Sequence, residues 1–209
     1  DKLDIKVTHT RCNGCENHCQ LTINRFNNGK THISGNRCER GAGIVTGKSE
    51  LPNLVKYKAE RIFGYEPLPI EKAPRGVIGI PRVLNMYEDY PFWFTFFTKL
   101  GFRVIISEKS TRKTYEKGME SMPSESVCYP AKLSHGHVVS LINAGIKTIF
   151  YPCMPYSRKE NKDADNKYNC PIVISYSEVI KNNVEEIKNI KFINPFLPFD
   201  TKNLVAKVL

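Results

Sequence analysis

Four of the seven cysteines stand in one short stretch, Cys12, Cys15, Cys19 and Cys38, in RCNGCENHC and GNRC. No other feature constrains the chain as tightly. Thiols separated by two and then three residues wrap one corner of a metal site at little loop-closure cost, and the fourth arrives after the length of one hairpin. Four thiolates suit tetrahedral zinc or a [4Fe–4S] cluster. Structural zinc more often takes its ligands as two short Cys-x2–4-Cys pairs. Here the fourth thiol stands alone, which favours the cluster and keeps zinc as the alternative. His18 reads either as a substitute ligand or as a surface histidine. Arg11, Arg37 and Arg40 either offset thiolate charge and raise a cluster's potential or simply face solvent.

The other three cysteines are dispersed: Cys128 in VCYP, Cys153 in YPCMP and Cys170 in NCP. Their spacing matches no compact metal motif, and a buried cysteine often acts as a small hydrophobe. Each has a proline close by, which restricts chain direction. Three thiol ligands would leave one coordination position open for a substrate or for cluster-to-cluster electron transfer.

The rest of the composition sets the frame. The 209 residues are 41% hydrophobic, with 11 Phe, 10 Tyr and one Trp, enough for a packed core. The formal charge of +10 is carried by dispersed lysines. No arginine-rich arm or basic helix concentrates it, so nucleic acid is not the partner it points to. No apolar run is long enough to cross a bilayer; PFWFTFFTKLGFRVII is broken by Lys99, Gly101 and Arg103. The odd cysteine count fits complete disulfide pairing poorly, and a cytoplasmic setting is expected. The chain starts without Met and ends in NLVAKVL, so both ends read as cuts from a longer polypeptide.

Residues 1–45 read as a Cys-rich metal module: IKVTHT alternates, and QLTINRF and THISG form a hairpin about NNGK. Residues 46–73 read as a connector, with a helix opened by Pro52 in PNLVKYKAERIF and a proline-broken loop after it. Residues 74–209 read as an α/β domain. Strands are expected in RGVIGI, FRVIIS, IKTIFYP, CPIVIS and IKFINPF. Helices are expected in YPFWFTFFTKLG, stopped by Gly101, in part of 126–144, ended by Gly145, and in SEVIKNNVEEI. The fold class is therefore α/β: a mostly parallel sheet with flanking helices, plus a small N-terminal Cys-rich β-hairpin module. Ligands gather outside the carboxyl ends of such strands. Cys153 fits that rule, Cys128 can be reconciled with it, and Cys170 needs a loop that folds back.

Other residues near these ends have two readings each. Arg82, Glu88 and Asp89, in the loop after the first of these strands, are candidates for supporting a ligand site. Lys132 either faces an anionic ligand or is a solvated helix lysine. His135 and His137, two apart on one helix, face different ways; one of them supports a cluster or substrate, or both are packing groups. Trp93 and its neighbouring Phe residues read as core rather than as a cofactor platform.

The run CNGCENHCQLTINRFNNGKTHISGNRCERG resembles the N-terminal iron–sulfur module of molybdopterin-dependent oxidoreductases such as formate dehydrogenases, with a shorter gap before Cys38. Nothing downstream resembles a molybdopterin domain, so only the local module carries over. The stretch from about Gly76 to Asp200 resembles the domain of unknown function in large activator proteins related to (R)-2-hydroxyglutaryl-CoA dehydratase. The resemblance rests on GIPRVLNMYEDYPFWFTFFTKLGF, SESVCYPAKLSHGHV, IFYPCMPY and NCPIVISY. It implies that Cys128, Cys153 and Cys170 ligate a second [4Fe–4S] cluster. It also implies that the partners are activase ATPase domains and a dehydratase-like subunit or domain. This stretch has no recognisable ATPase domain, so ATP hydrolysis is not expected of it. The expected function is an iron–sulfur electron-transfer segment of a large ATP-dependent activator or reductase. The alternatives are a zinc-stapled interaction domain and a small-substrate reductase using the open cluster position.

Overall fold

IKVTHTR and QLTINRF, β1 (Ile5–Arg11) and β2 (Gln20–Phe26), pair antiparallel from Ile5 opposite Phe26 to Arg11 opposite Gln20. The loop that joins them is therefore the cysteine run itself. β3 (Thr31–Ser34) returns along β2 after the NNGK turn, which Gly29 makes possible at φ 79°. The computed structural model describes residues 4–15, 17–44 and 51–197. The chain divides into two units, Asp1–Leu54 and Val55–Leu209. Leu21 is the one buried apolar side chain among the described residues of the first unit.

The second unit has the expected α/β fold. Four strands, β4 (Val77–Ile80), β5 (Arg103–Ile106), β6 (Thr148–Phe150) and β7 (Lys191–Ile193), lie in the order β5-β4-β6-β7 and are all parallel. One face carries α2 (Met86–Lys99), whose Tyr90, Trp93, Phe94 and Phe97 pack on Ile78, Ile80, Val104 and Phe150. Trp93 is fully buried, 4.6 Å from the Phe150 ring, as a core residue should be. Phe63, at the end of α1 (Leu54–Phe63), joins the same core. The other face carries α4 (Tyr129–Asn143) and α5 (Pro171–Asn183), through Val138, Leu141, Tyr176 and Ile180. The short α3 (Arg112–Lys117) lies against α4.

Two expectations need correction. CPIVIS is not a strand: it opens α5, and SEVIKNN continues that helix. An apolar run this short has no decisive period. The deciding signal is Pro171 at the first helical position, where its missing N–H costs nothing. The sheet accordingly has four strands among the described residues, with IKFINPF supplying the last. Second, α2 begins one turn before Tyr90, so Pro91 lies inside it and Glu88 and Asp89 are in its first turn rather than in the preceding loop. The chain enters that helix through Leu84, held at φ 41°, and the Asn85 carbonyl accepts from the N–H groups of Glu88 and Asp89. The terminal run NLVAKVL lies outside the described residues.

Glycine decides one helix contact. A Cβ on Gly136 would stand 1.6 Å from the Thr114 carbonyl oxygen, and one on Gly118 would stand 2.4 Å from Gly136 N. Backbone meets backbone there, so neither side can yield by rotating a side chain. Gly136→Ala should destabilise the protein by about 3 kcal/mol, at the upper end of overpacking costs. Gly145→Asn, at the left-handed end of the same helix in open space, should cost under about 1 kcal/mol. Urea midpoints of the two variants check the contrast; similar midpoints would contradict the contact.

Candidate functional site

The first cysteine group is set by the β1–β2 loop. Cys12 N–H donates to the Cys19 carbonyl (2.9 Å) and His18 N–H to the Cys15 carbonyl (3.2 Å). His18 makes the turn with φ 43°, a left-handed conformation in which histidine is among the better tolerated non-glycine residues. Gly14 N–H points at Cys12 Sγ (3.4 Å). The Arg40 guanidinium donates to the Gly14 carbonyl at 2.6 Å, which ties the segment bearing Cys38 back to the loop bearing Cys12 and Cys15. A Cβ on Gly14 would meet Arg40 Cδ at 2.9 Å. Gly35 turns the return strand at φ 82°, where a side chain would strike the Gln20 carbonyl at 2.2 Å. All seven cysteines are free thiols. Among the described residues, no three His, Cys, Asp or Glu side chains are set as a metal site.

The donor chemistry nonetheless fits a soft metal group. One buried leucine cannot hold a three-stranded sheet of this size. A unit built this way calls for a cross-link, and four thiols flanked by a bonded loop and an arginine tie are what the chain provides.

The second group occupies the carboxyl end of the parallel sheet. Cys128 and Cys170 are the N-caps of α4 and α5, with φ, ψ of −61°, 149° and −64°, 155°. Both are exposed, and each is followed by a proline in the first helical turn. Helix N-termini favour negative charge. Cys153 lies just after β6, its N–H donating to the Pro195 carbonyl (2.9 Å). The loop from Cys153 to Cys170 does fold back. Asn169 N–H donates to the Pro155 carbonyl (3.0 Å), its side-chain amide donates to the Met154 carbonyl (2.8 Å), and Tyr156 pairs with Tyr168.

The backbones of Cys153 and Cys170 are thus drawn together, while the Cys153 thiol is turned to Ser177. Cys153 is fully buried, with Sγ 2.9 Å from Ser177 Oγ. Ser177 lies two turns into α5, about 10 Å along the axis from Cys170. Burial pushes the Cys153 thiol up, against the bond from Ser177.

Lys132, from the first turn of α4, binds the Glu125 carbonyl (2.7 Å) and carboxylate (3.3 Å), which braces the loop leading to Cys128. Glu88 pairs with Lys58 at 2.6 Å. Asp89 accepts from Asn85, and burial raises its carboxyl to about 6. The Arg82 guanidinium stacks over the Phe63 ring at 4.4 Å, and the Arg82 backbone N–H donates to Ser107 Oγ (2.8 Å).

His135 and His137 are both fully buried, on divergent sides of α4. Ser121 Oγ already donates to the Gly118 carbonyl, so His135 Nδ1–H donates to Ser121 (2.8 Å), and Nε2 accepts from Tyr176 (3.1 Å). Ser107 has no other acceptor for its proton among the described residues, so it donates to His137 Nδ1 (2.9 Å), and Nε2–H donates to Ser110 (2.9 Å). All four ring nitrogens are engaged within the fold. Ser177, Ser107, Ser110 and the Gly118–Gly136 contact were not singled out from sequence. Glycine inside the helical run AKLSHGHV was the one available signal of close packing.

The second unit is therefore a parallel α/β domain with Arg82 and Cys153 in loops at the carboxyl strand ends and a buried histidine network inside α4. Residues 77–209 match the family described as the CoA enzyme activase uncharacterised domain (DUF2229), over half of the chain, and the chain belongs to that family. No curated protein and no solved structure matches it. No helix among the described residues is long and apolar enough to cross a membrane.

Burial lowers His135 and His137 to about 4 from an ordinary 6.5; for His137 the nearby Arg82 and Lys117 add to this and Glu108 opposes it. Between pH 6.5 and 4 the unfolded chain binds more protons at these positions, so stability falls as pH drops through that window. Asp89 titrates near 6 when folded and opposes part of the loss. At about 1.4 kcal/mol per pH unit for each group, the net loss is on the order of 3–4 kcal/mol. Urea midpoints at pH 7 and pH 4.5 should differ accordingly. The His135→Gln/His137→Gln double variant, weaker at pH 7, should not lose stability on acidification, and Asp89 alone should raise its midpoint slightly at pH 4.5. A pH-independent wild-type midpoint would contradict the assignment.

Proposed function

We propose that this chain is an iron–sulfur electron-relay segment of an ATP-dependent activator of the 2-hydroxyacyl-CoA dehydratase type. Family membership supports the activator setting. The observation that carries the iron–sulfur part is the first unit: four cysteines on a bonded loop and its arginine-tied return segment, beside a sheet with a single buried leucine. Cys12, Cys15, Cys19 and Cys38 would hold a [4Fe–4S] cluster, which supplies one-electron transfer when bound. The chain's own contribution would be to pin the loop through Arg40 and Gly14, to present an N–H to Cys12 Sγ, and to supply in Arg11, Arg37 and Arg40 cationic charge that would offset the thiolates.

Cys128, Cys153 and Cys170 would hold a second cluster in the same reading. Supporting it are the two N-cap positions and the loop that returns Cys170 toward the Cys153 backbone. It requires Cys153 to turn away from Ser177. The proposed partners are the activase ATPase domains and a dehydratase-like component of the same system, in the cytoplasm.

Protein purified without oxygen should be brown, absorb broadly near 400 nm, and hold about four iron and four sulfide per filled site. Cys15→Ser should remove the first site's share and, because structural metal binding contributes directly to folding, should also expose the β1–β3 sheet to proteolysis. Stoichiometric zinc without acid-labile sulfide would reject the electron-relay reading in favour of a zinc-stapled module. Cys153→Ala should halve the iron; unchanged iron would leave the first site alone.

A further inference from the structure

Beside the carboxyl ends of β4 and β5 the second unit holds a cavity of about 510 Å³ that no cysteine lines. Phe63, Ala59, Gly64 and Tyr87 form its apolar wall, and Arg82, Lys109 and Ser110 its polar side. At the rim Lys56 and Glu60 stand 3.8 Å apart and offset each other. Arg82 and Lys109 have no carboxylate within ion-pair distance among the described residues. Arg82 is half-buried, and its Nε is shielded from solvent with no hydrogen-bond partner.

A guanidinium removed from water without an anion is costly. Stacking on Phe63 recovers only part of that cost. Burial pulls the Arg82 pKa below its ordinary value, in keeping with a missing counter-charge. The loop holding Arg82 bears further costs. Leu84 is left-handed, an outlier for a bulky residue, and the buried Asn85 side-chain oxygen has no partner. Unfavourable backbone and unsatisfied polar atoms concentrated in one loop at a strand's carboxyl end are characteristic of binding loops.

We propose that this cavity binds a small organic anion, its phosphate or carboxylate head held by Arg82 and Lys109 and its apolar body lying against Phe63 and Tyr87. The volume falls within the range of small-ligand sites. Arg82 presents a planar fork suited to either oxyanion, and Lys109 adds a second point charge. His137 has a part in the geometry. Its Nε2–H donates to Ser110, which leaves the Ser110 hydroxyl proton free for an acceptor at the cavity wall, and its Nδ1 fixes Ser107 beneath the Arg82 backbone. None of the cysteines lines this cavity, and the proposal does not depend on a cluster.

Calorimetric titration of the whole chain with pyrophosphate and, separately, with succinate tests the proposal and separates the two head groups. At least one should bind saturably with Kd below about 1 mM at low salt. Arg82→Gln should weaken that binding about 10- to 100-fold, the loss expected for a charged hydrogen-bonded contact. Arg82→Lys, which keeps the charge without the fork, should lie between. Lys109→Gln should weaken binding severalfold, and Lys159→Gln, at an exposed residue that does not line the cavity, should leave it unchanged. The same values should hold with and without bound iron. Failure of both probes to saturate by about 10 mM would overturn the proposal. So would equal binding by Arg82→Gln and Lys109→Gln proteins of native circular dichroism, or an equal loss in Lys159→Gln, the sign of diffuse attraction to a +10 chain.

Discussion

Burial of β4 on both faces is the constraint on which the second unit depends. Ile78 and Ile80 turn toward the aromatic face of α2, each worth roughly 1.5–3 kcal/mol when fully buried. Gly79 turns the other way, where a Cβ would meet Ile146 at 2.9 Å and Leu141 at 3.3 Å, so the layer containing α4 comes close to the sheet. A central parallel strand covered on both sides has its ladder partners and its exit fixed together. The Arg82 loop after β4, the Ser107 loop after β5 and the Cys153 loop after β6 therefore open at one edge of the sheet.

A second layer of order comes from polar groups that ordinarily avoid a core. The close Gly118–Gly136 approach brings α3 and its following turn onto α4, with His135 and His137 on either side of it. One histidine joins Ser121 and Tyr176, the other Ser107 and Ser110. Satisfied networks of this kind specify one arrangement, because slipping any member leaves a buried polar atom unpaired. Here they connect the helical layer to the loops at the strand ends.

The first unit is stabilised on different terms. Its strands pair fully, yet Leu21 is alone as a buried apolar residue among those described. Backbone pairing of that extent does not hold a small sheet in water. The loop that joins β1 to β2 carries the thiols, so a metal bound there would close the open end of the hairpin and tie in the Cys38 segment. The two units thus join a core-stabilised scaffold to a module whose stability and redox chemistry would come from the same atoms.

Local chemistry was legible in the sequence. The Cys12–Cys38 spacing, the Asn-Gly turn at Gly29, the parallel α/β order and the core role of Trp93 all follow from short-range pattern or period, and the family resemblance followed from phrases such as YPCMP. CPIVIS misled because four apolar residues fit a strand or a helix equally, and packing of Tyr176 and Ile180 on the sheet chose the helix. Where Cys153 points, whether His135 and His137 reach a site or brace the core, and that Arg82 stands over Phe63 with no carboxylate partner among the described residues were matters for tertiary structure alone. Each depends on a partner far away in sequence, Ser177, Tyr176, Ser107 or Phe63, and on the competition for space and hydrogen bonds that begins only when those partners meet.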